Sequence, residues 1–104
     1  MKVEDNKSLN KIQETFSELK ELLEKYGDNS ILSQYQLVKT AISILESSAQ
    51  AEEKYNEVAD IYKALYPARG GLSEFNVWKD DFAERKEINE PFTRIKEELW
   101  EIFK

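Results

Sequence analysis

The stretch PARGGLSEFNVWKDDF, residues 67–82, decides the fold. It holds Pro67, two of the three glycines (Gly70 and Gly71), and the aromatic residues Phe75, Trp78 and Phe82. Upstream of it, apolar residues recur every three or four positions, as they do along one face of an α-helix. Within it they settle into no single period. It therefore reads as a connection between helices, and with the residues that follow it forms a hinge over 67–89. Links in helical bundles usually run about 2–8 residues, so this length predicts local structure in the hinge. Ser73–Glu74 or Asp80–Asp81 are each able to cap a short helix, the second over roughly Asp81 to Glu87.

Outward from the hinge the chain divides into four helical segments. Pro67 ends the third, because the residue before a proline is pushed away from α conformation. That segment, 50–66, carries Ala51, Tyr55, Val58, Ala59, Tyr62, Leu65 and Tyr66 on its inner face. The second, 29–48, repeats Ile31, Tyr35, Val38, Ile42 and Leu45, widened by Leu32, Ala41 and Ile44, after three candidate N-caps at Asp28, Asn29 and Ser30. It is the most apolar segment and is expected to be the most buried. The first, 5–26, carries Leu9, Ile12, Phe16, Leu19, Leu22, Leu23 and Tyr26 on one stripe. Gly27 follows, suited to a left-handed C′ position. Beyond the hinge, Asn89 reads as an N-cap and Pro91 as a first-turn proline. They open a last helix over 90–103, with Phe92, Ile95, Leu99 and Ile102 inward and Trp100 and Phe103 flanking. No run reads as a strand. The expectation is a single-domain, all-α, antiparallel up-down four-helix bundle with a structured hinge before the last helix.

Composition narrows the chemistry. Of 104 residues, 40% are apolar and 35% charged, which suits amphipathic helices and is too apolar for a disordered chain. The formal net charge is −6. Nucleic-acid binding needs a basic footprint, and none is visible. There is no Cys and no His, which removes the common metal-ligand and nucleophile–base sets and any disulfide staple. No phosphate-cradling glycine loop occurs; Gly70–Gly71 alone does not make one. Carboxylate pairs occur at Asp80–Asp81 and Glu97–Glu98, but adjacent helical residues point in different directions and seldom share a site. The expectation is a non-enzyme with no cofactor, no metal and no small-molecule substrate. The N-terminus lacks an apolar run of signal-peptide length, and no stretch approaches membrane-spanning length, so the chain reads as soluble and cytoplasmic.

The hinge admits two readings. In one, Tyr66, Leu72, Phe75, Trp78 and Phe82 close an open end of the bundle while Gly70 and Gly71 supply the positive φ of a chain reversal. In the other, part of the hinge is a recognition surface, since Arg69, Phe75 and Trp78 are residue types that dominate binding hot spots. The candidate partner-binding residues are Arg69, Phe75, Trp78, Lys79 and Arg85, with Trp100 and Phe103 as further candidates on the last helix.

The end of the third segment, the hinge and the last helix together resemble the C-terminal half of streptococcal bacteriocin immunity proteins, related to the enterocin A immunity family. The matching elements are Leu65–Tyr66–Pro67, Arg69–Gly70–Gly71–Leu72–Ser73, the aromatic segment through Trp78, Asp80–Asp81, Asn89–Glu90–Pro91 and Leu99–Trp100. The likeness covers roughly the last forty residues. The first sixty share only length and amphipathic helices. The resemblance implies a small cytosolic four-helix bundle that protects a cell from a pore-forming peptide bacteriocin. It implies action at the inner face of the membrane on the bacteriocin receptor, a membrane sugar transporter of the mannose phosphotransferase type, with or without bacteriocin engaged, and it admits peripheral association with that membrane. The C-terminal half would set which bacteriocin is resisted. The chain departs from the pattern in being acidic where many members are basic, which favours a protein target over direct attraction to anionic lipid. The alternative reading is a helical adaptor or oligomerisation module unrelated to bacteriocins.

Overall fold

The computed structural model describes residues 6–103. Four helices follow one another: α1 (Asn6–Tyr26), α2 (Leu32–Glu46), α3 (Ala51–Leu65) and α4 (Phe82–Phe103). Short 3-10 turns lie at Asn29–Ile31 and Gly71–Ser73. There is no strand among the described residues. The architecture is the expected all-α bundle. The expected start of the first helix at Asp5 lies outside the described residues.

Cross-helix contacts set the directions. Gln13 donates to Glu46 and Tyr35 donates to Glu24, so α1 and α2 run antiparallel. The Lys54 ammonium donates to the Leu45 carbonyl at the α2–α3 turn. Lys11 pairs with Glu98, Arg94 with Glu18, and the Tyr26 ring packs edge-on against Phe92, so α4 runs antiparallel to α1. The Tyr55 hydroxyl donates to the Ile102 carbonyl at 3.2 Å, tying the start of α3 to the end of α4. α2 packs along both α1 and α3, and α4 packs along α1, while α3 and α4 touch only lightly. The bundle therefore has one loose seam, between α3 and α4.

The core follows the predicted stripes: Ile12, Phe16, Leu19 and Leu23 of α1, Val38, Ala41 and Leu45 of α2, Tyr55, Val58 and Leu65 of α3, and Ile95 and Leu99 of α4. Most of this burial is apolar surface leaving water, at about 25 cal/mol per Å2. The most buried helix is α1, not the more apolar α2. α1 touches α2, α3 and α4, whereas α2 packs mainly on α1 and α3, its Leu32 is 54% exposed, and Leu37, Ile42 and Ile44 are half-buried. Leu32 thus stands outside the stripe it was expected to widen. Thr15 is buried within α1 and donates its hydroxyl to the Lys11 carbonyl at 2.8 Å.

The turns correct three expectations. Gly27 does not adopt positive φ; its amide continues α1 by donating to Leu23. Glycine is needed there for room, because a Cβ would stand 2.5 Å from the Leu23 carbonyl oxygen and 2.6 Å from Ile31 Cδ1. Asp28 caps the 3-10 turn, accepting from the Ser30 amide at 2.8 Å, and α2 begins only at Leu32. α2 ends at Glu46, where the Ser47 hydroxyl donates to the Ile44 carbonyl.

The largest correction concerns the last helix. It begins at Phe82, not near Asn89, and the short helix expected over 81–87 is its first two turns. Asp81 is its N-cap: its carbonyl accepts from the Arg85 amide and its carboxylate from the Ala83 amide at 3.1 Å. Pro91 sits inside the helix. An interior proline removes one hydrogen bond and crowds the carbonyl four residues back. Here that carbonyl belongs to Glu87, an exposed residue, so water can replace the lost donor and the helix runs through.

Candidate functional site

The hinge is built upward from two glycines. Gly70 and Gly71 take φ of +78° and +56°, the left-handed region expected for a chain reversal. At Gly71 space is also short, since a Cβ would come within 2.7 Å of the Leu65 carbonyl oxygen. The reversal is held by the Ser73 hydroxyl donating to the Pro67 carbonyl at 2.6 Å and by the Gly70 amide donating to the Glu74 carboxylate. Leu72 is buried in the core below. The next rung is Phe75, whose ring packs edge-on against Phe92 of α4 at 5.2 Å between centroids.

Residues 75–79 then run back along α4 without helical or turn structure. A single side chain pins this strap. Asn89 accepts from the Val77 amide at 2.8 Å and donates to the Val77 carbonyl at 2.7 Å. The same side-chain nitrogen also donates to the Arg85 carbonyl at 2.8 Å. Asn89 was expected as a helix N-cap; it is instead a mid-helix clasp.

Beyond the clasp the aromatic residues separate. Tyr66 and Phe75 are half-buried against the core, with Leu72 fully inside, as the bundle-closing reading expected. Trp78 and Phe82 are each 68% exposed. The Arg85 guanidinium lies over both rings, 4.1 Å from the Trp78 centroid and 5.3 Å from that of Phe82. Two large exposed rings bridged by an arginine form one continuous cation–π surface. It is the kind of anchor that carries binding energy once a partner excludes water.

The other predicted residues fall in distinct places. Arg69 is exposed at the reversal, and Lys79 is half-buried at the end of the strap. Trp100 is 56% exposed, on the far end of α4. Phe103 turns inward, stacked on Tyr62 at 5.1 Å and tilted against Tyr55 at 5.2 Å. Trp78 and Arg85 are therefore brought together, Arg69 and Trp100 stand apart, and Phe75 and Phe103 serve mainly in packing. Phe82 was missed as a surface residue. An unbroken α4 carries the signal for it: Phe82 and Trp100 are eighteen residues apart, five full turns, so they share one stripe. That stripe lies well away from Ile95 and Leu99.

The loose α3–α4 seam opens into a groove of about 450 Å3, with Tyr62, Tyr66 and Trp100 among its walls and Lys96 and Glu97 on the α4 side. Burial pushes the Tyr66 phenol well above its ordinary range, and burial also raises Tyr62 and Tyr55. These hydroxyls stay protonated at neutral pH, and that of Tyr55 donates to the Ile102 carbonyl. Among the described residues no group of three or more His, Cys, Asp or Glu is placed to hold a metal ion, and no helix is long and apolar enough to cross a membrane.

Comparison with protein families, with curated proteins and with solved structures finds no match to this chain.

Proposed function

We propose that this protein confers immunity to a pore-forming peptide bacteriocin by binding a protein partner through the hinge and the start of α4. The partner in this reading is the cytoplasmic side of a membrane sugar-transporter receptor of the mannose phosphotransferase type. The protein then works in the cytoplasm or against the inner face of the plasma membrane. The action is binding, not catalysis, and needs no cofactor. The observation that supports it is the exposed Trp78–Arg85–Phe82 stack, within the segment whose sequence resembles the immunity family. The other residues of that resemblance divide by role. Leu65, Gly71, Leu72, Ser73, Asn89 and Leu99 hold the hinge and core in place. Arg69, Trp78 and Trp100 are left facing solvent.

The test is expression in a bacteriocin-sensitive strain, scored by growth against a panel of peptide bacteriocins. Resistance to one or a few is the expected result, abolished by Trp78→Ala or Arg85→Ala in protein that remains folded. Sensitivity to the whole panel, with folded protein present in the cell, would sink this reading and leave the helical adaptor.

A further inference from the structure

We propose, independently of the immunity reading, that residues 76–90 form a hinged arm. The strap and the first turns of α4 swing as one body about Pro91 and carry the Trp78–Arg85–Phe82 stack with them.

The arm begins where support from the other helices ends. On α4 only Ile95 and Leu99 are buried, and none of residues 82–91 is. Ile88 keeps the inward stripe but is half-buried and lies outside the packed core. Tyr26, the last residue of α1, packs on Phe92. α3 closes at Leu65, and the next residue, Tyr66, walls the same groove as Thr93. The long axis of the molecule is 46 Å, against roughly 33 Å for the 22 residues of α4 at about 1.5 Å each. The helices are therefore staggered, and the start of α4 stands at one end. Among the described residues no hydrogen bond, ion pair or ring contact joins 76–90 to α1, α2 or α3.

Inside the arm the fastenings are several. Asn89 holds both main-chain groups of Val77 and the Arg85 carbonyl. Asp81 caps the helix, and the Arg85 guanidinium lies over the Trp78 and Phe82 rings. Each of these joins two residues of 76–90. A segment tied to itself and not to its neighbours moves as a unit.

Two exits define the axis. The strap leaves the bundle after Phe75 and α4 enters it at Pro91, and the Phe75 and Phe92 rings, both packed on the core, meet at 5.2 Å. A body attached at two neighbouring points turns about the line between them. On the α4 side Pro91 has no N–H for the Glu87 carbonyl, which loosens the helix at the exit. On the strap side residues 75–79 have no helix or turn to stiffen them. A recess of about 140 Å3 lies in the angle, with Phe75, Asn76, Asn89 and Phe92 among its walls. The junction is thus not packed solid, and the arm has room to close toward it. The stack is fixed relative to the arm, not to the core, so a partner meets it over a range of angles.

The test is a set of residual dipolar couplings from 15N-labelled full-length protein in a stretched neutral gel. Couplings of Val77, Trp78 and residues 82–90 are expected to fit one rigid fragment, whose degree of order is smaller by about a quarter or more than that of 92–103 taken with α1, because hinge motion on the microsecond–millisecond scale averages them. Pro91→Ala restores the missing donor and should bring the two degrees of order together. Asn89→Ala should free the strap, so that Val77 and Trp78 no longer fit the fragment while 92–103 is unchanged. Equal degrees of order in the parent protein overturn the proposal, as does an arm whose own residues fit no single fragment. So does a difference that persists in folded Pro91→Ala protein, or a strap that still moves with the helix in Asn89→Ala.

Discussion

Asn89 shows how much one side chain can settle. It satisfies both main-chain groups of Val77 and shares its nitrogen with Arg85. Asn89→Ala strands those groups and is expected to cost about 1–3 kcal/mol, read as a shift of the urea midpoint at unchanged slope. The loss should centre on the strap, with exchange of the Val77 amide accelerated most. Gly71→Ala is expected to cost more than about 1 kcal/mol, because its φ of +56° and its contact with the Leu65 carbonyl are both unfavourable for a side chain. Gly70 has the positive φ but open space around it, so Gly70→Ala should cost less. Trp78→Ala should stay within about 0.5 kcal/mol of the parent, as surface changes usually do. A drop of several kcal/mol would mean the ring is part of the core. That Trp78 and Arg85 are candidates for a recognition surface was readable from residue type. That Phe82 stands with them was not, since an aromatic residue beside an apolar run looks the same whether it packs or protrudes.

At the level of elements, the three helices before the hinge were legible because their apolar residues keep one period and real stop signals flank them. α4 was misread because two start signals compete. Asp81 is followed three residues later by Glu84, a capping pattern, and Asn89–Glu90–Pro91 repeats the appearance of a helix start eight residues on. Tertiary context chose the first: Ile88 and Phe92 continue the inward stripe into Ile95 and Leu99, and Asn89 is drawn to Val77. The proline is then an internal defect. Pro91→Ala restores a donor opposite Glu87 and should stabilise the protein by roughly 1–3 kcal/mol, measured by urea unfolding. No gain would mean that the proline ring itself supports the packing beside Phe92. The Asn89 clasp had no signature in the sequence, because it depends on a strap and a helix meeting across twelve residues.

For the molecule as a whole, the loose seam between α3 and α4 is bridged by aromatic residues, with Tyr62 between Tyr66 and Phe103. Burial raises the Tyr66 phenol strongly and those of Tyr55 and Tyr62 in the same direction. An acid whose value is raised by folding supports the native state fully below its unfolded value and ceases to do so as pH rises above it. Stability should therefore hold through neutral pH and fall once the unfolded tyrosines ionise, above about pH 10. Tyr66→Phe should flatten that alkaline decline in melting temperature; an unchanged slope would place the loss elsewhere. At the acid end, Glu24 is held below the usual carboxylate range, chiefly by the Tyr35 hydroxyl. Its contribution is lost as pH falls through that lowered value.

α4 lies against α1, the helix farthest from it along the chain, with Glu18 and Arg94 separated by 76 positions. The pairings of α1 with α2 and of α2 with α3 close short loops, whereas the α1–α4 pairing closes nearly the whole chain and pays its entropy last. Refolding should therefore assemble the first three helices early and dock the strap and α4 late. The surface that carries the Trp78–Arg85–Phe82 stack would then exist only in molecules that have finished.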